Sequence, residues 1–115
     1  MYLDEKIISE LRNQLSVLTK NVKMVFFTQE LECQYCRETK QILTELSEVS
    51  DKLEVEVKNF LNDKADADKY GVDKIPATVL LDENDVDFGI KFYGIPSGYE
   101  FASLLEDIKM LGTGT

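Results

Sequence analysis

Apolar residues near the start of the chain fall three or four positions apart: Leu3, Ile7, Leu11, Leu15, Leu18 and Val22, with Ile8 beside them. Lys6, Glu10, Arg12 and Asn13 lie off that stripe. The spacing is helical and predicts an amphipathic helix that stops at Asn21. Met24-Val25-Phe26-Phe27 then forms a short, unbroken apolar run. Its length and aromatic content predict a central strand covered on both faces. Thr28 to Glu32 is polar and reads as a loop. From Cys36 the helical period returns, with Thr39, Ile42, Leu43, Leu46 and Val49 on one face until Asp51-Lys52 interrupts it. Leu53, Val55 and Val57 alternate with Glu54, Glu56 and Lys58, the period of a strand with one wet face at or near a sheet edge.

The second half continues the alternation. Lys64 to Tyr70 predicts a short helix closed by Gly71. Lys74-Ile75-Pro76-Ala77 leads into a strand over Thr78–Leu81, Asp82-Glu83-Asn84-Asp85 makes a turn, and Phe88–Tyr93 returns as its hairpin partner. Gly94-Ile95-Pro96 breaks the chain. Ser97-Gly98-Tyr99-Glu100 has capping-box spacing ahead of a last helix carrying Phe101, Leu104, Leu105, Ile108 and Leu111. That helix is expected to end at Gly112, so that residues 1–111 form one domain and 112–115 a linker-like tail. Strands alternating with helices imply an α/β fold: a four-stranded mixed sheet, flanked by helices, with an extra N-terminal helix.

Charge and composition narrow the chemistry. Thirteen Lys and Arg against 22 Asp and Glu leave the chain, 115 residues long, at −9. Such a surface repels phosphate backbones and anionic lipid, which argues against nucleic-acid and membrane partners. No apolar run approaches the roughly 20 residues of a membrane helix, and no basic stretch followed by an apolar one suggests a secretory signal. There is no histidine, which excludes Ser–His and Cys–His catalysis and any His-ligated metal within one chain.

The two cysteines form a single Cys33-Gln34-Tyr35-Cys36 motif between a buried strand and a helix. A thiol at a helix N-terminus meets unpaired N–H groups and the positive end of the macrodipole, which favour thiolate, the attacking species in disulfide exchange. Cys36, one turn later, is within disulfide reach and opens the apolar face of the helix. Cys33 is therefore expected to attack and Cys36 to resolve the mixed disulfide. Zinc would need two further ligands from the same chain. Two chains pooling four thiolates could hold a metal or an iron–sulfur cluster. A permanent structural disulfide would close a very short loop and restrain the unfolded chain little. No metal site is expected within one chain, and the Cys pair itself is the expected redox group, without another cofactor.

Pro76, after Ile75 and just ahead of a strand, makes the motif more specific. The chain resembles a thioredoxin/glutaredoxin-fold domain. It is similar, nearly end to end, to the N-terminal unit of the archaeal and bacterial protein disulfide oxidoreductases, glutaredoxin-like proteins with two tandem units. Glu32-Cys33-Gln34-Tyr35-Cys36, Glu45-Leu46-Ser47-Glu48, Ile75-Pro76-Ala77-Thr78 and the run from Asp87 to Phe101 carry the resemblance. The resemblance implies a cis Ile75–Pro76 bond facing the Cys pair, with the backbone of Ile75 free to add an extended substrate like a strand. It also implies a cytoplasmic dithiol–disulfide oxidoreductase acting on protein disulfides, carrying electrons from a thioredoxin-reductase-like flavoenzyme. A second thioredoxin-fold unit would accompany this one. A non-catalytic docking unit of such a tandem protein, and a dimeric metal or cluster carrier, are the alternatives.

Several positions depart from the resembled families. Phe27 stands where thioredoxins place a buried Asp, which leaves Glu30, Glu32 and Glu38 as sequence-near carboxylates for proton transfer. Glu32 beside Cys33 opposes the helix terminus, so a modestly acidic thiol and a potential nearer about −270 mV than about −120 mV are expected. Gln34 replaces the usual Pro or Gly-Pro and keeps a backbone N–H. Tyr35 matches glutaredoxins and is expected to shield the sulfurs or touch substrate. Glutathione recognition is poorly matched: Leu31-Glu32 precedes Cys33, Lys74-Ile75 precedes the Pro, and only Arg37 and Lys74 offer positive charge. Protein disulfides are the expected substrates.

Overall fold

A computed structural model of the chain describes residues 3–29, 31 and 33–114. Its elements run α1 (Glu5–Leu15), β1 (Val22–Thr28), α2 (Cys36–Ser47), β2 (Leu53–Asn59), α3 (Lys64–Lys69), β3 (Ala77–Leu81), β4 (Asp87–Tyr93) and α4 (Gly98–Thr113). The strands form one mixed sheet in the order β2-β1-β3-β4. β1 pairs parallel with β2 and antiparallel with β3, and β3 pairs antiparallel with β4. The α/β expectation, the central β1 and the edge position of β2 all hold.

Alternate residues of β1 feed two cores. Val22, Met24 and Phe26 face a cluster with Leu11 and Leu15 of α1, Leu43 and Leu46 of α2, and Leu104 and Ile108 of α4. Val25 and Phe27 face a second cluster with Ala67 and Tyr70 around α3 and Ala77, Val79 and Leu81 of β3. All of β1 from Val22 to Phe27 except Lys23 is fully buried, as a strand covered on both faces requires.

Three expectations are corrected. α1 ends at Leu15, not Asn21, although Leu18 and Val22 keep the helical spacing and are buried. The amides of Thr19 and Lys20 donate instead to the carbonyl of Gly112, both at 2.9 Å, so Leu18 enters the core from a turn and Val22 from β1. α4 passes through Gly112 to Thr113, with Gly114 in the left-handed region as its cap. The expected tail at 112–115 thus begins as the last turn of a helix. Gly112 packs closely here: a Cβ would run into the Leu18 side chain, which would have to shift, and would approach Val22 to 3.3 Å. Finally, Ser97 occupies the N-cap of α4 in extended conformation without a side-chain cap hydrogen bond, and its carbonyl accepts the Glu100 N–H at 3.1 Å.

Candidate active site

β1 delivers the chain to the Cys motif. After Thr28 the chain leaves the sheet, and the Gln29 side-chain amide donates to the Leu31 carbonyl across the loop. Glu30 and Glu32, two of the expected carboxylates, lie outside the described residues. Cys33 precedes α2 and Cys36 is its first residue, so the pair is not a turn of helix. Between them Tyr35 takes a left-handed backbone, φ 71°, uncommon for a bulky residue. That turn brings the two Cα atoms within 5.6 Å and the sulfurs into a disulfide. The Tyr35 carbonyl still accepts the Thr39 N–H at 3.0 Å, opening the helix ladder.

The two thiols differ as roles in exchange demand. Cys33 is partly exposed, whereas Cys36 is 4% exposed. The disulfide ties the Cys33 sulfur to the first residue of α2, and the first-turn N–H groups of a helix lack intrahelical partners. Phe27 is fully buried and meets Tyr70 edge-on at 6.3 Å between ring centroids. An aromatic contact therefore occupies the strand position where thioredoxins place a carboxylate.

A cleft of about 720 Å³ opens beside the pair, walled by α2 and by Val57, Lys58 and Asn59 of β2. It brings together Cys33, Cys36, Tyr35 and Glu38. Lys58 forms an ion pair with Asp66 at 3.0 Å and with Glu56 at 3.6 Å. The hydrogen bond from Lys58 to Asp66 holds the ammonium above the ordinary 10.5, against a smaller opposing effect of burial.

Gln34, Ile75 and Pro76 are not part of that cleft. Gln34 is exposed in the turn. The Ile75–Pro76 bond is cis, Pro76 is buried, and its carbonyl accepts the Gly94 N–H at 2.9 Å. Ala77, the next residue, sits opposite Phe27 in the β1–β3 register. The cis-Pro turn therefore lies at the end of β1 from which the Cys loop departs, on the β3 side, while the cleft lies on the β2 side.

Sequence reasoning missed the group that steadies this turn. Tyr93, opposite Ala77 in β4, carries the Lys74 ammonium 4.8 Å from its ring centroid. Burial, followed by the negative charge of Asp73, pushes its hydroxyl above the ordinary 10.0. The hairpin register, which places an aromatic residue opposite Ala77, was the signal available for it. Among the described residues, no group of three or more His, Cys, Asp or Glu could hold a metal ion.

The model of the thioredoxin domain matches residues 20–106. The chain belongs to the thioredoxin domain family. Among solved structures, the alkylhydroperoxide reductase protein AhpF of Enterococcus faecalis matches with a TM-score of 0.91 and 30% identity, over 100% of this chain and 55% of that one. The NTD_N/C domain of AhpF from Enterococcus faecalis matches at 0.90 and 31%, over 99% and 55%. A protein disulfide oxidoreductase of Aeropyrum pernix shares the fold at 0.85 and 23%, over 99% and 50%. Comparison with curated protein sequences returns no match. The chain thus spans about half the length of these structures. It is a thioredoxin-fold unit with a dithiol–disulfide Cys pair, in the α/β architecture expected, extra N-terminal helix included.

Proposed function

We propose that this chain reduces protein disulfides by dithiol–disulfide exchange. The observation that carries the reading is the asymmetry of the pair, an accessible Cys33 joined to a buried Cys36 at the mouth of α2. In the reduced protein the Cys33 thiolate attacks one sulfur of the target disulfide. A mixed disulfide forms and the first target thiolate leaves. The Cys36 thiolate then attacks the Cys33 sulfur, closes the Cys33–Cys36 disulfide and releases the second target thiolate. The target gains two electrons and two protons, and the protein is left oxidised. Helix-terminus N–H groups favour the Cys33 thiolate, and Glu38 is the described carboxylate that lines the cleft. The cis-Pro turn supplies the backbone of Ile75 for an extended target segment, and Gln34 and Tyr35 flank it. The Cys pair is the whole redox group in this reading, with no further cofactor. A thioredoxin-reductase-like flavoenzyme returns the electrons, in the cytoplasm, where thiols are kept reduced.

Disulfide reduction of a protein target, with dithiothreitol or a reductase supplied, tests the reading. Cys33→Ser is expected to fall to the buffer rate, and Cys36→Ser to accumulate a mixed disulfide with the target, seen as the summed mass. A Cys33→Ser protein as active as the parent would overturn it.

A second reading is supported by the coverage of about half of each structural relative: the domain docks substrate or reductase within a two-unit protein. Equal activity per Cys pair in this domain and in a two-unit form would refute that version.

A further inference from the structure

The protein is strongly acidic, yet among the described residues the wall of its cleft beside the disulfide carries more cations than carboxylates. Arg37 and Lys40 stand three apart on α2, directly after Cys36. Both are exposed and both line the cleft. Among the described residues, neither side chain has an ion-pair or hydrogen-bond partner. Most other cations are engaged: Lys20, Lys23, Lys58, Lys64 and Lys109 with carboxylates, and Lys74 on the Tyr93 ring. Against Arg37, Lys40 and the shared Lys58, the described lining offers one carboxylate, Glu38. Among the described residues, a chain with a formal charge of −9 thus leaves Arg37 and Lys40 without a carboxylate partner beside its reactive sulfur.

We infer that this cleft selects disulfides flanked by acidic side chains, with Arg37 and Lys40 binding the carboxylates. The inference rests on the oxidoreductase reading and names its substrate class. An Arg guanidinium takes a carboxylate through two parallel hydrogen bonds, and a Lys supplies a mobile point charge. The net charge of −9 disfavours an acidic target over the surface as a whole, and Arg37 and Lys40 offset it on the face where Cys33 opens. Charges at the rim of a binding surface act on the encounter rate and are screened over about 8 Å at physiological salt. The selection therefore weakens as salt rises.

The test uses two disulfide-closed peptides of equal length, one flanked by Asp and Glu and one by Lys. Serine-for-cysteine copies of both are used for equilibrium binding. At low salt the parent protein is expected to show about tenfold higher kcat/KM and tighter binding for the acidic peptide, with both gaps narrowing in 0.5 M salt (about 1.4 kcal/mol of discrimination at the outset). Arg37→Gln with Lys40→Gln is expected to remove the preference, and Arg37→Glu with Lys40→Glu to invert it. Lys6→Gln with Lys52→Gln removes the same charge away from the cleft and should leave the preference intact. Equal rates and equal binding for the two peptides, or a preference that survives the Arg37/Lys40 changes, would overturn the inference. Preferential binding of the acidic serine peptide with no turnover of either disulfide would sustain the docking surface and refute the oxidoreductase reading instead.

Discussion

Thr39 is fully buried on α2, one turn after Cys36, and its hydroxyl has no hydrogen-bond partner among the described residues. A buried polar group left unpaired costs on the order of 1–3 kcal/mol. Thr39→Val keeps the shape and removes the orphan, so it should raise stability by about 1 kcal/mol, read as a higher urea midpoint at unchanged slope. At this same scale the sequence was uneven. Cys33 and Cys36 were legible because the chemistry of a thiol pair is carried by residue type and spacing. Tyr35 was legible only as an aromatic neighbour. Its left-handed backbone was not, since Gly and Asn advertise that conformation and Tyr does not. The cis state of Pro76 followed from resemblance and not from the residue itself, because an isolated X-Pro bond favours trans.

Element boundaries depend on where backbone amides find acceptors, and some acceptors are remote. The stripe from Leu3 to Val22 keeps its period beyond the end of α1 because turn and strand residues also point into the core. The chain leaves the helix at Ser16, and the Gly112 carbonyl then claims the amides of Thr19 and Lys20. A contact across more than 90 residues leaves no mark in a local period. The capping-box spacing of Ser97 and Glu100 is the reverse case, a local pattern satisfied in sequence while the side-chain bond is not made. The latch between the α1–β1 turn and α4 can be tested directly. Gly112→Ala gains about 1 kcal/mol of helix propensity but forces Leu18 aside in a packed site, at a cost of about 1–3 kcal/mol. A net loss of about 1 kcal/mol in denaturant stability is expected. A stabilised variant would show that Leu18 has room to move.

Across the whole molecule, the sheet divides two cores and its rim is tied by lysines. Lys23 at the start of β1 contacts Asp85 at 3.0 Å, with Glu54 and Glu56 nearby. Its hydrogen bond to Asp85 chiefly holds the ammonium above 10.5, as Asp66 does for Lys58. Tyr93 is likewise held above 10.0. All three groups bind their protons more tightly folded than unfolded, so stability is full below about pH 10 and falls as pH rises through the raised values. Urea midpoints at pH 9 and pH 11 should differ in that direction; a flat profile would contradict it. The mixed sheet with its central β1, outer β2 and antiparallel terminal pair was the most legible feature at this scale, since alternating periods of two and 3.6 restrict the topologies available. The division of the site was not, because no local pattern shows that the cleft opens toward β2 while the cis-Pro turn lies toward β3.

The Gly112 latch has a practical side. β1 is seven residues long, roughly 20 Å at about 3.3 Å per residue, and the latch holds the end of α4 near its beginning while Cys33 opens past its end. A bead, electrode or fluorescent reporter grafted at Gly114 would be anchored at the opposite pole, leaving the sulfur mouth turned outward to the bulk solution.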